Sequence, residues 1–316
     1  MHKLNIIFMG TPDFAVPTLE LLAKNFNISL VVTTPDKQAG RGLKMQPSPV
    51  KLKASELHLP LAQPISLKDP SFIKQIKQLN PDFIVVVAFR IVPNEILSIP
   101  KYGTINLHPS LLPKYRGPSP MQWAIINGEE STGVTTILLN EQIDGGPILL
   151  QNTEPIHNTD NFQSLHDRLK IKGAQLVVDS IIGLVNNTIN PTPQGQIYEQ
   201  EKFYAPKITK EISKLDLYKS CKYNWRVVRA LSPKPAAFVY LINSKKNKLV
   251  LKIFDADYKL CNSMPGQFII LDKNTFAIGC SDGILIPKTV ALEGRKTMSN
   301  SEFLRGIKEK EKLFFQ

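Results

Sequence analysis

Apolar positions recur along the first part of the chain in two alternating rhythms. Residues 4–10 form a short apolar run closed by Gly10; past the turn Thr11-Pro12-Asp13, Leu19, Leu22 and Phe26 fall at helical spacing. Residues 28–32 are again β-branched and strand-like, Pro49 opens a helix predicted through Leu59, and Phe72, Ile73, Ile76 and Leu79 mark another over 71–79. Residues 83–88, Phe-Ile-Val-Val-Val-Ala, are continuously apolar, as a strand buried on both faces should be, and 104–107 read as a further strand. Phe162, Leu165, Leu169, Leu176, Val177 and Ile181 then outline one long amphipathic helix over 161–184. Strands alternating with helices predict an α/β fold, a Rossmann-like, doubly wound and mostly parallel sheet.

The rhythm changes after that helix. Residues 187–206, with Pro191, Pro193 and Pro206, have the composition of a linker. Beyond it come a helix over 223–231 and strands over 236–242, 248–254, 266–271, 276–279 and 284–292, punctuated by turn pairs such as Asn243-Ser244 and Asp282-Gly283. Short strands in this succession predict a small OB-like β-barrel. The predicted division is therefore 1–189 for the first domain, 190–206 for the linker and 207–316 for the barrel.

Composition narrows the possibilities. A chain of 316 residues, 42% hydrophobic, can bury two cores, and no apolar run approaches the length that spans a bilayer. The N-terminal run is too short for a secretory h-region, so a cytoplasmic protein is expected. Cys221, Cys261 and Cys280 are too far apart for a metal knuckle and are odd in number for a disulfide framework. The histidines (His2, His58, His108, His157, His166) are scattered, so no metal is expected. Only Gly10 follows the first strand, which excludes a dinucleotide fingerprint. Charge is lopsided: residues 1–205 carry a net +1 and residues 206–316 a net +11 of the total +12. A polyanion is one natural partner of such a surface, solubility the other explanation.

The chemistry gathers where the strand over 104–107 ends. In Asn106-Leu107-His108-Pro109-Ser110-Leu111-Leu112-Pro113, strand alternation puts Asn106 and His108 on one face, at the edge where open α/β sheets place ligands. An amide can donate to the oxyanion of a tetrahedral intermediate, and an imidazole can donate to it or move protons. Farther on, Asp144-Gly145-Gly146-Pro147 sets a carboxylate beside two glycines, where backbone can approach closely; such an aspartate can hold an imidazole in one tautomer. Spacing alone does not name the reaction.

The run from Asn106 to Pro113, continued by Lys114-Tyr115-Arg116-Gly117 and later by Asp144-Gly145-Gly146, resembles the signature of formyltransferases that use 10-formyltetrahydrofolate. Within that superfamily the chain resembles the methionyl-tRNA formyltransferase family from end to end, through residues 8–17 (Phe-Met-Gly-Thr-Pro-Asp-Phe-Ala-Val-Pro), 40–51 (Gly-Arg-Gly-Leu-Lys-Met-Gln-Pro-Ser-Pro-Val-Lys), 204–211, 229–235 and 282–285. Ala88-Phe89-Arg90-Ile91-Val92, where the family usually has a Tyr-Gly pair, and Asp144-Gly145-Gly146-Pro147 are closer to glycinamide ribonucleotide formyltransferase. His108-Pro109 replaces the commoner His-Gly. The resemblance implies catalysis by Asn106, His108 and Asp144, and a folate site formed by Phe89, Arg90, Ile91, Val92, Ser110, Leu111, Leu112, Pro113 and Gly145. It also implies contacts to methionyl-initiator tRNA from Arg41, Lys44, Lys51, Lys207 and Lys210, with the basic barrel on the tRNA backbone; nothing in the sequence suggests an obligate oligomer, and a monomer is expected. Formyltransferases acting on glycinamide ribonucleotide or on an amino-sugar nucleotide are the alternatives. Pro12 and Asp13 argue against the first, because a phosphate loop needs N–H donors and no repelling carboxylate there.

Overall fold

The opening apolar run becomes a central strand because two similar runs flank it. The computed structural model describes residues 3–39, 44–195, 204–243, 246–307 and 313–316. It divides into two units: residues 1–120, 131–155 and 166–205, and residues 121–130, 156–165 and 206–316. In chain order the first part reads β1 (Asn5–Gly10), α1 (Val16–Asn25), β2 (Asn27–Val32), a ribbon of β3 (Lys37–Ala39) and β4 (Lys44–Gln46), α2 (Pro49–Glu56), β5 (Leu61–Ala62), α3 (Pro70–Leu79), β6 (Phe83–Val87), α4 (Asn94–Leu97) and β7 (Thr104–His108). Next come α5 (Pro120–Asn127), β8 (Ser131–Leu138), β9 (Ile148–Pro155) and α6 (Phe162–Val185). The sheet order is β5-β2-β1-β6-β7-β8-β9, parallel through β7 and antiparallel across β8 and β9. The mostly parallel sheet expected from the apolar rhythm is thus present, with an antiparallel hairpin added at one edge.

Local chemistry sets the helix starts. Ser48 accepts from the Lys51 N–H at 3.1 Å and Asp69 from the Ser71 N–H at 2.9 Å, each just before a proline at the first helical position. The helix predicted through Leu59 stops at Glu56, and His58 then turns left-handed at φ 52°; no glycine or asparagine announces that stop.

One lateral row explains where the site lies. In register across the sheet stand Val32, Met9, Val86 and Asn106. The first three are buried in a core with Ile7, Leu30, Ile84, Phe72 and Ile76 of α3, and Ile96 of α4. On the same face the fourth strand carries an amide instead of a hydrocarbon. Leu107 points the other way, onto α6, where a Cβ added to Gly173 would lie 2.6 Å from a Leu107 methyl. Burying the apolar residues of this row and its neighbours stabilises the sheet by roughly 1.5–3 kcal/mol per side chain.

In the second unit, α7 (Lys210–Ser213) and α8 (Cys221–Leu231) precede β10 (Ala237–Ile242), β11 (Lys248–Leu260), β12 (Phe268–Asp272), β13 (Thr275–Gly279), β14 (Gly283–Leu292), β15 (Met298–Ser299), α9 (Asn300–Arg305) and β16 (Phe314–Phe315). The antiparallel order is β12-β13-β14-β11-β10-β16, with β15 beside β14. The sheet curls until its ends meet: Gln267 bridges Phe314, and the Phe315 N–H donates to Gly266 O at 2.7 Å. The OB-like barrel expected from the strand pattern is present, and the chain end supplies its closing strand. β11 runs six residues past the predicted Phe254, because after a bulge its polar Asp255 and Asp257 alternate with buried Ala256. Among the described residues no helix is long and apolar enough to cross a membrane.

Candidate active site

The parallel order reverses between β1 and β6, so the loops after Gly10 and Val87 open the crevice in which such sheets bind ligands. At the end of β6 the backbone turns sharply, Ala88 being left-handed at φ 47°. This carries Phe89 back onto the core beside buried Val92, and leaves Ile91 77% exposed. Arg90 donates to the carbonyls of Pro64 and Ile65, both at 2.8 Å, and lies over the Phe89 ring at 5.2 Å. Burial pulls its guanidinium below the usual arginine range. Of the four residues assigned to folate here, Ile91 is the open one; Val92 belongs to the core and Arg90 fastens two loops together.

One strand farther, β7 delivers Asn106 half-buried and His108 buried. The Asn106 side-chain amide has no hydrogen-bond partner among the described residues. His108 is held on both sides: Nε2 donates to Tyr115 O at 2.9 Å, and Nδ1 lies 3.6 Å from Asp144 Oδ1. The Nε2 contact is a hydrogen bond, whereas the Nδ1 contact is an ion-pair separation, longer than a hydrogen bond. The other Asp144 oxygen, Oδ2, accepts the Gly117 N–H at 2.9 Å. His108 and Asp144 therefore come together in the first unit across 36 positions of chain, and Asn106 lies two residues before His108 on the same face of β7.

Asp144 reaches this place on the loop between β8 and β9. It adopts the left-handed conformation at φ 50°, which aspartate tolerates better than most residues. Leu138 N donates to Pro147 O at 3.0 Å, and a Cβ on Gly146 would lie 1.8 Å from Leu138 O, so only glycine permits this closure. Gly145 packs beside the Gln142 side chain and donates to Gln142 O at 3.1 Å.

The loop after His108 is fixed from within. Ser110 Oγ donates to Lys114 O at 2.7 Å; Thr135 Oγ1 donates to Ser110 O at 2.6 Å and accepts from Leu112 N at 3.1 Å; Gln151 Nε2 donates to Leu112 O at 2.8 Å. Ser110 and Leu112 are buried and spent on this scaffold, which leaves Leu111 and Pro113 partly open.

Sequence reading missed three participants: Thr135, Gln151 and Gln194. Gln194 Nε2 donates to the carbonyls of Asp144 (2.9 Å) and Gly146 (2.7 Å), and its Oε1 accepts from Arg116 Nε (3.1 Å) and Nη2 (2.6 Å). Burial lowers the Arg116 guanidinium, and the Asp144 charge opposes that shift. No local signal in a proline-rich segment marks Gln194.

Among the described residues, the expected tRNA contacts take no part in this hydrogen-bond network. Arg41 falls outside the described residues, and Lys44 opens β4. Lys51 is paired to Asp36 at 2.6 Å, and that bond, with one from Gln63, holds the Asp36 carboxyl below its ordinary range. Lys207 and Lys210 are exposed on the second unit, Lys210 in the first turn of α7 after its Thr209 cap. Asp13, His166 and Asp167 bring possible metal-ligand atoms within 4.8 Å of one another. The Lys170 ammonium already lies 2.6 Å from Asp167 and 3.5 Å from Asp13. Burial pushes the Cys221 thiol up to about 11 and that of Cys280 to about 12, which makes neither a nucleophile at neutral pH.

Comparison with known proteins bears on this geometry. Residues 3–181 match the formyl transferase family and residues 207–308 the formyl transferase C-terminal domain. The chain is 44% identical to the methionyl-tRNA formyltransferase of Thermodesulfovibrio yellowstonii over 96% of each chain, and 41% identical to that of Clostridium beijerinckii over 99% of this chain and all of the relative. Its fold is similar to that of the N-formyltransferase from Helicobacter canadensis, solved with folinic acid and dTDP-3-aminofucose, at TM-score 0.65 and 22% identity over 91% and 99% of the two chains. An unpartnered amide beside a clamped imidazole–carboxylate pair, on a chain matched along its whole length at this identity, leads to one assignment: the chain belongs to the methionyl-tRNA formyltransferase family.

Proposed function

We propose that the chain transfers the formyl group of 10-formyltetrahydrofolate to the α-amino group of methionyl-initiator tRNA. The observation that carries this reading within the site is the Asn106 amide, half-buried and uncommitted, next to His108 and Asp144. An acyl transfer needs a donor aimed where negative charge develops, and Asn106 is the one side chain of the trio whose donors are not already used. The folate fits between the loop after β6, with Phe89 and Ile91, and the loops after β7 and β8, with Leu111, Pro113 and Gly145. It supplies the formyl carbon.

A free α-amino group has a pKa of about 7.7–8.0, so an aminoacyl amine needs no strong base to attack. Asn106 stabilises the oxyanion. His108 joins it by exchanging Tyr115 O for the oxyanion at Nε2, while Asp144 keeps hold of the Nδ1 side. Proton transfer from the attacking amine then passes through His108 or water to the leaving nitrogen, and no covalent enzyme intermediate is required. Residues 1–189 serve as the catalytic domain. Residues 190–206 lead into the basic domain, 207–316, whose net charge of +11 suits a tRNA backbone. The Arg41 loop with Lys44 and Lys51 approaches the acceptor end. We place the reaction in the cytoplasm, with a monomer as the working form.

The test is a competition among amines. With 10-formyltetrahydrofolate present, the protein should formylate charged initiator tRNA and leave glycinamide ribonucleotide and an amino-sugar nucleotide unchanged. Preferential formylation of either small amine would overturn the reading.

A further inference from the structure

Asp144 sits in a conformation that few side chains favour, on a loop outside regular pairing, yet its carboxylate must keep its distance from His108. Two carbonyls of this loop, those of half-buried Asp144 and buried Gly146, need donors. Both find the same one, Gln194 Nε2, at 2.9 and 2.7 Å. The other end of that amide accepts twice from Arg116, at 3.1 and 2.6 Å. Two protons and two lone pairs are all that a carboxamide offers, and here all four are used, so its orientation is fixed. The backbone that presents Gln194 is itself anchored, since Thr192 and Ile148 exchange two bonds of 2.8 Å at the start of β9. Arg116 stands between Tyr115, whose carbonyl holds His108, and Gly117, whose N–H holds the Asp144 carboxylate. The segment with a linker's composition therefore closes a circuit around the site.

We infer that Gln194, oriented by Arg116, is a positioning residue for formyl transfer: it fixes the Asp144 loop so that the carboxylate stays at His108 Nδ1. This rests on the proposed role of Asp144. A misplacement of about 1 Å at such a group costs on the order of a hundredfold in rate. In Gln194→Ala, kcat should fall about 10- to 100-fold, while KM for tRNA and for the folate donor stays within about threefold. Gln194→Glu keeps the partner of Arg116 but has no proton for the two carbonyls, and should lose as much as Gln194→Ala. On an Asp144→Asn background, Gln194→Ala should have almost no further effect, because the group it positions is already disabled. Wild-type kcat in Gln194→Ala, recovery of activity in Gln194→Glu, or losses that multiply in the double variant would each overturn the inference. Wild-type turnover in Asp144→Asn alone would instead overturn the role of Asp144 on which it rests. Circular-dichroism melting of Gln194→Glu, where the Arg116 partner is kept, guards against loss of fold: a native transition with low kcat supports the inference, and native kcat contradicts it.

Discussion

At the residue scale the site is a division of labour between committed and uncommitted groups. His108 donates to Tyr115 O and lies 3.6 Å from Asp144, which is held by Gly117 and Gln194, whereas the Asn106 amide has no hydrogen-bond partner among the described residues. Asn106→Ala should therefore lower single-turnover formyl transfer on the order of a hundredfold or more, with tRNA affinity within about twofold. Asn106→Asp should be no better, since a carboxylate repels an oxyanion; stopped-flow or quenched-flow rates check both. These residues could be picked out as candidates in the sequence because Asn106 and His108 lie two apart on one strand, Asp144 stands beside two glycines, and the runs around them resemble the formyltransferase signature. The groups that hold them could not. Gln194 lies 50 positions from Asp144 and 78 from Arg116, in a segment that composition reads as linker. A hydrogen bond at that separation leaves no trace in local pattern.

At the element scale, legibility followed hydrophobic continuity. β1 and β6 were visible because both faces of each are apolar, and Ile84→Ala in the buried cluster should cost about 2–5 kcal/mol in a urea titration. The hairpin of β8 and β9 was not predicted. Buried Thr132, Thr135 and Thr136 break the apolar run of β8; Thr135 serves the Ser110–Leu112 loop, and Thr136 meets Ser180 of α6 at 2.6 Å. β9 is an edge strand with a polar stretch, and its Glu154 is buried against Arg168 (2.6 Å) and Lys172 (2.5 Å) of α6. Burial pushes the Glu154 carboxyl up, but the two cations outweigh it and leave it below the usual glutamate range. A depressed carboxylate contributes stability that is present above its unfolded pKa, about 4.3, and is lost as pH falls through the folded value. Glu154→Gln should therefore cost about 1–3 kcal/mol at neutral pH and flatten the loss of stability below about pH 4.3. An unchanged acid limb in thermal melts would contradict that assignment. β16 was missed for a different reason: two phenylalanines near the chain end show no periodicity, yet Phe315 stacks near Phe268 and Phe276, at ring separations of 5.5 and 6.2 Å, and completes the barrel.

At the scale of the whole molecule, the charge distribution separates a nearly neutral first part from a strongly basic last third, and this was legible from composition alone. Composition left solubility and polyanion binding as equal explanations, and family membership is what favours the second. If Lys207 and Lys210 contact phosphate, replacing each by alanine should reduce the slope of log affinity against log salt by about one. An unchanged slope by filter binding would place the contacts elsewhere. This chain moves a formyl group onto the amine of methionyl-initiator tRNA, and the proposal under test is that Asn106, His108 and Asp144 carry the transfer. The most direct measurement is single-turnover formylation of charged initiator tRNA by the wild-type protein and by Asn106→Ala and His108→Ala, with 10-formyltetrahydrofolate saturating. The account predicts rapid transfer by the wild type and a loss on the order of a hundredfold or more in each variant, with tRNA binding retained; near-normal rates in the variants, or no transfer by the wild type, would contradict it.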